Sequence, residues 1–141
     1  MAAINPYLNF DGNTEDVFNF YRSVFGGEFS GVLRFKDLPS DVPSPEAEGN
    51  RIMHISLPIG KDNILMGSDR PSSFGQGTRG DNFFISLQTD SEEESKKYFQ
   101  SLSEGGKVLM PLDKAFWGDL FGMLTDKFGI QWMINYDYTQ K

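Results

Sequence analysis

The sequence predicts an α+β fold of two βαβββ modules within one 141-residue domain: module one over 3–69, a linker over 70–80 and module two over 81–137. Three observations lead there. The segments "NPYLNFDGNTEDVFNFYRSVFGGE" and "NFFISLQTDSEEESKKYFQSLSEGGK" can be laid over each other, with Asn5 on Asn82, Tyr7 on Phe84, Asn9 on Ser86 and Tyr21 on Tyr98. Each copy opens on residues that alternate at period two and continues into an apolar stripe at helical spacing. Three short β-rich runs bounded by Gly, Pro and Asp follow in each, as antiparallel neighbours joined by turns require.

In the first copy Ile4, Leu8 and Phe10 share one side of the opening strand, while Asn5, Tyr7 and Asn9 share the other. The second copy repeats this with Phe83, Ile85 and Leu87 against Asn82, Phe84 and Ser86. Helices come next. Asn13 with Asp16, and Asp90 with Glu93, supply their N-terminal caps. Val17, Phe20, Tyr21, Val24 and Phe25 form the apolar stripe of the first, and Tyr98, Phe99 and Leu102 that of the second. Gly26-Gly27 and Gly105-Gly106 stop them. The remaining strands are placed at 29–35, 52–57 and 63–67, then 107–112, 120–126 and 130–136. In the last of these, Trp132 and Ile134 oppose Gln131, Met133 and Asn135. The stretch 36–50 carries three prolines and four acids and reads as a lid or a mobile loop.

Composition removes several function classes. There is no cysteine, hence no disulfide, thiolate nucleophile or sulfur-rich metal site. A net charge of -7 opposes nucleic acid and anionic membranes as partners. No basic-then-apolar leader opens the chain and no apolar run is long enough to span a bilayer, so a cytoplasmic protein is expected. "GTRG" at 77–80 neither follows the glycine spacing of a phosphate loop nor opens a helix.

"FYRSVFGGE" together with "WGDLFG" and "TDKFG" in a doubled βαβββ frame resembles the vicinal oxygen chelate superfamily, also called the glyoxalase, bleomycin-resistance and dioxygenase fold, in its PhnB-like branch. The resemblance covers nearly the whole chain. It implies paired curved, mostly antiparallel sheets around a cleft, with helices on the outer face and the site on the concave side. Asn5, Tyr7, Asn9, Met66, Asn82, Phe84, Gln131 and Met133 are then expected to line the cleft. PhnB-like sequences have often carried the name of a ubiquinone-pathway methyltransferase, but no glycine-rich nucleotide loop of the Rossmann type is present.

Metal-dependent relatives carry His or Gln on the first strand of each module and Glu on the last. The corresponding positions here are approximately Asn5, Met66, Asn82 and Met133. Two thioethers and two neutral amides make a poor set for a divalent cation, and the chain has a single histidine. No metal and no cofactor are expected. His54, which alternation groups with Ile52 and Ser56 opposite Met53, Ile55 and Leu57, is the candidate base, its face being open to either assignment. Met53, Met110 and Met123 also fall on strands, where thioethers either fill core or soften a binding surface. Trp117 is a candidate stacking residue, Asp119 a candidate orienting group, and Arg34 a candidate counter-charge for an acidic ligand. The resulting expectation is a metal-independent small-molecule-binding protein acting as a homodimer. The alternative is a lyase or isomerase with His54 as base and Asn5 or Asn82 at a developing oxyanion.

Overall fold

Alternation decides which side of a sheet a helix can cover, and in both halves of the chain the covered side is the apolar one. The structure, a computed structural model, describes residues 2–38 and 49–139. Most of the expected loop at 36–50 therefore lies outside the described residues. Its flanks are fastened by Phe35 N–H to the Arg51 carbonyl and Lys36 N–H to the Gly49 carbonyl. Two compact units result, Met1–Thr78 and Arg79–Lys141.

The first unit runs β1 (Tyr7–Phe10), α1 (Thr14–Phe25), β2 (Gly31–Arg34), β3 (Ile52–Ile59) and β4 (Asn63–Asp69). The second runs β5 (Ile85–Gln88), α2 (Glu92–Ser103), β6 (Lys107–Lys114), β7 (Leu120–Thr125) and β8 (Gln131–Tyr136). The sheets are ordered β1-β4-β3-β2 and β5-β8-β7-β6. In each, the first strand lies parallel to the last and the other pairs are antiparallel. This is the doubled βαβββ plan of the sequence. A parallel first pair needs a crossover, which the helix and two strands between them supply. Among the described residues, no helix is long and apolar enough to cross a membrane.

α1 packs on β3 and β4, and α2 on β6, β7 and β8. The stripe of α1 that faces the sheet is Thr14, Val17, Phe18, Tyr21 and Val24. Phe18 thus takes the interior place expected for Phe20, which is half-buried. Each fully buried large side chain contributes about 2 kcal/mol through the water it sheds. Close approach of the helix demands glycine below it. A Cβ on Gly67 would sit 2.7 Å from Phe18 Cε1 and 2.9 Å from the Leu8 carbonyl oxygen, and one on Gly122 would sit 2.6 Å from Phe99 Cε2.

The helix caps differ from expectation. Asn13 occupies the N-cap position of α1 without a side-chain capping bond. Asp69, at the end of β4 and 2% exposed, caps instead. Its Oδ1 accepts from Gly12 N–H, Thr14 N–H and the Thr14 hydroxyl at 3.0, 3.0 and 2.6 Å, and its Oδ2 from Ile52 N–H at 2.8 Å. A carboxylate distant in sequence thereby ties β3, β4 and α1 together. In α2 the cap is Ser91, whose hydroxyl accepts from Glu94 N–H, while Glu94 Oε1 accepts from Asp90 N–H. The reciprocal pair lies one residue beyond the expected Asp90 and Glu93.

Three strand expectations change. Ile4 is 96% exposed and Phe83 51% exposed, because β1 and β5 begin only at Tyr7 and Ile85. β2 is shorter than 29–35. In β3 the pairing passes from Leu33 opposite His54 to Arg34 opposite Ile52, so Met53 is the extra residue of a bulge. The bulge returns Ile52, 1% exposed, to the helix side with Ile55 and Leu57 instead of leaving it beside His54.

Arg34 does not serve as a free counter-charge. Its guanidinium donates to both carboxylate oxygens of Glu15 on α1, at 3.1 and 2.7 Å, and to the Asn50 carbonyl. The Arg34 hydrogen bond and charge hold the Glu15 carboxyl below its usual range. A lowered carboxyl pKa stabilises the fold above the ordinary carboxylate value, and that contribution is lost as pH falls through the folded value.

Replacing Asp69 by Asn leaves one acceptor oxygen where two serve four donors and sets an amide NH2 against Ile52 N–H or the Gly12–Thr14 donors, which is expected to cost about 3 kcal/mol, read as a lower urea midpoint with an unchanged slope. Glu15→Gln is expected to cost only about 0.5 kcal/mol at neutral pH, since the pair is exposed. That difference should shrink toward zero in urea titrations taken below the ordinary carboxylate range.

Candidate functional site

The side of each sheet away from its helix is where side chains remain available for chemistry. In the first module the register places Tyr7, Met66, Ser56 and Gly31 in one row across β1, β4, β3 and β2. His54 stands two residues along β3 from Ser56 and on the same side. The structure decides its face directly: the Tyr7 hydroxyl lies 3.2 Å from His54 Nδ1, with the rings 5.7 Å apart and tilted by 36°. Tyr7 is 44% exposed and His54 half-buried. Two further neutral pairs lie on this side. The Ser68 hydroxyl donates to Asn9 Oδ1 at 3.0 Å, and the hydroxyls of Ser30 and Ser56 are 2.7 Å apart.

The second module presents a different surface. Its row is Ser86, Met133, Met123 and Met110 across β5, β8, β7 and β6. Three thioethers in register give a soft, polarizable floor. One step along, Phe121 pairs with Asn135. Trp117, 51% exposed in the β6–β7 connection, packs edge-on against Phe121 at 5.3 Å, and Phe116 packs edge-on against Trp117 at 4.9 Å. Asp119 accepts a 3.0 Å hydrogen bond from Asn135 Nδ2, which fixes the turn against β8. The opposite side is committed to the core. Trp132 and Ile134 are fully buried, and Trp132 Nε1 donates to Asp126 Oδ2 at 2.9 Å.

The expected cleft residues therefore separate into groups. Tyr7, Asn9 and Met66 share the open side of the first module with His54. Met133 shares that of the second with Phe121, against which Trp117 packs edge-on, and Phe84, half-buried, lies just ahead of β5. Asn5 and Gln131 have their amides engaged by the main chain: Asn5 Oδ1 accepts from Ile64 N–H at 3.2 Å, and Gln131 Nε2 donates to the Phe83 carbonyl at 2.6 Å. Each ties the lead-in of a first strand to the last strand of its module. Asn82 is exposed ahead of β5. The first-strand neighbours of Met66 and Met133 are consequently Tyr7 and Ser86, two residues or more beyond Asn5 and Asn82. Ser30, Ser68 and Phe121 were not singled out from sequence. Alternation would have flagged Phe121 beside Met123 and Thr125, but nothing local marks Ser30, which lies ahead of β2.

A divalent cation does not fit these positions. Thioethers hold the last-strand places, the Asn5 amide oxygen is engaged by Ile64, and a phenol and a serine stand across from the methionines. Among the described residues, no group of three or more His, Asp or Glu side chains is placed to hold a metal ion.

The βαβββ doubling recurs in known proteins. The family described as Glyoxalase/Bleomycin resistance protein/Dioxygenase superfamily matches residues 3–134. Protein YjdN of Escherichia coli K12 is 32% identical over 140 residues, covering 94% of this chain and 93% of that protein. The crystal structure of PA1353 from Pseudomonas aeruginosa superposes with a TM-score of 0.82 at 39% identity, covering 97% of this chain and 98% of that one. A PhnB protein from Bacillus cereus, which also carries a demethylubiquinone methyltransferase name, superposes with a TM-score of 0.74 at 25% identity, over 96% and 100% of the two chains. The extent of these matches, on a scaffold of two parallel-closed βαβββ sheets, establishes that this chain belongs to the glyoxalase/bleomycin resistance protein/dioxygenase superfamily, with YjdN and PhnB among its relatives.

Proposed function

We propose that this chain is a metal-independent small-molecule-binding protein of the PhnB-like type. One observation carries the reading: the last-strand position at the middle of each open face is a methionine, Met66 in one sheet and Met133 in the other, with uncharged side chains beside both. Such a surface offers dispersion contact and neutral hydrogen bonds instead of Lewis acidity. Trp117 and Phe121 add aromatic area suited to a planar group. A methyltransferase reading gains no support from the fold, whose mixed four-stranded sheets differ from the doubly wound parallel sheet of nucleotide-binding methyl carriers. A homodimer in the cytoplasm completes the proposal, in keeping with the prevalence of two-fold pairs.

The test uses protein carrying methyl-labelled methionine, screened by NMR against uncharged planar aromatic fragments. Shifts are expected at Met66, Met123 and Met133, and addition of manganese is expected to leave the same signals sharp. Manganese broadening at Met66 or Met133 would replace this reading with a metal site. Trp117→Ala and Tyr7→Ala are expected to weaken fragments binding their respective modules about tenfold, with thermal midpoints unchanged. Light scattering should give twice the 15.9 kDa chain mass.

One observation favours a second reading, a lyase or isomerase. Tyr7 and His54 are hydrogen-bonded on an open face, an arrangement that a passive binding surface does not require.

A further inference from the structure

We propose that Tyr7 and His54 form a metal-independent proton relay that enolises an uncharged ketone on the open face of the first module. The proposal goes beyond ligand binding and depends on three observations. The Tyr7 hydroxyl and His54 Nδ1 are 3.2 Å apart, near enough to exchange a proton along one hydrogen bond. The side chains around them, Asn9, Leu33, Ser56, Met66 and Ser68, include no Asp, Glu, Lys or Arg, although the chain carries 20 acids and a net charge of -7. Arg34, at the end of β2, is bound in a bidentate pair with Glu15. Among the described residues that strand register places beside the pair, none offers a fixed charge to a carboxylate or an ammonium group, which favours an uncharged carbonyl compound.

The third observation is chemical: imidazole and phenol can each donate or accept, so the pair has two neutral forms. When Nδ1–H donates to the Tyr7 oxygen, the phenolic hydrogen and the Nε2 lone pair are both available to a bound ketone. Nε2 takes the α-proton, the C–H electron pair becomes the C=C bond, and the carbonyl π pair moves onto oxygen. That oxygen takes the Tyr7 proton while the Tyr7 oxygen takes the one on Nδ1. The products are the enol and the other neutral tautomer, with Nε2–H outward and Tyr7 donating to Nδ1. No free phenolate or imidazolium forms, and neither a cation nor an external oxidant is consumed. Exchange of the Nε2 proton with water followed by reversal returns a ketone carrying a solvent hydrogen. Here His54 is the base and Tyr7 the acid.

The experiment follows hydrogen–deuterium exchange at the benzylic position of benzyl methyl ketone by NMR in deuterium oxide, with chelator-treated protein. Wild type is expected to exchange roughly a hundredfold faster than buffer, the lower end of acid–base assistance. His54→Gln should remove the acceleration entirely. Tyr7→Phe, which deletes one oxygen and keeps the ring, should lose at least tenfold while saturation transfer still detects bound ketone. Exchange at the buffer rate in wild type, acceleration abolished by the chelator, or acceleration untouched by Tyr7→Phe would each overturn the relay. Ketone that binds without exchanging sinks the relay and leaves the binding reading standing, whereas silent methionine methyls sink the binding reading instead.

Discussion

The carboxylate of Asp69 is the constraint on which the first module depends. Burying an ionised group is costly unless donors replace its water, and here three N–H groups and a hydroxyl do so. Because the donors come from the entry to α1 and from the start of β3, the same contact sets where the helix begins and how it lies on the sheet. Asp126 does comparable work in the second module, accepting from Phe128 N–H, Ile130 N–H and Trp132 Nε1. In both modules these buried carboxylates, Asp69 and Asp126, sit with the helix-covered core. The open side carries lighter ties to the fold, through Asn5, Gln131 and Asp119, and is freer to vary.

That freedom has been used differently in the two copies. The first face holds an imidazole, a phenol and paired serine and asparagine groups. The second holds three thioethers in register and an edge-on aromatic cluster. A duplicated scaffold retains the apolar period on its helix side, where close packing penalises change, and diverges on the side that packing does not constrain. The glycines show the same division. Gly67 and Gly122 are required under the helix aromatics, whereas the open-face positions next to them in their strands carry methionine or serine and methionine or phenylalanine.

The superfamily frame makes the chemistry of the last-strand positions informative. A carboxylate there would supply charge to a cation. A thioether supplies dispersion and shape tolerance instead, and the phenol–imidazole pair across Met66 supplies neutral donors and acceptors. The two proposals, binding of an uncharged molecule and proton transfer without a metal, both rest on that chemistry.

Much of this was legible before any coordinates. The repeat, the Gly-Gly stops and the alternation of Leu8 and Phe10 or Trp132 and Ile134 are local or periodic facts, while the poor ligand set at Met66 and Met133 was what the family resemblance implied. Bonds across long sequence separations were not legible. Asp69 displaced Asn13 as the cap of α1, and the Met53 bulge turned Ile52 away from His54. The late start of β1 put Tyr7, not Asn5, beside Met66. The sequence by itself determined the βαβββ doubling, since period and turn chemistry act over a few residues. Only the tertiary structure decided which groups meet on the open face, because strand register joins residues such as Tyr7 and His54 that share no local pattern.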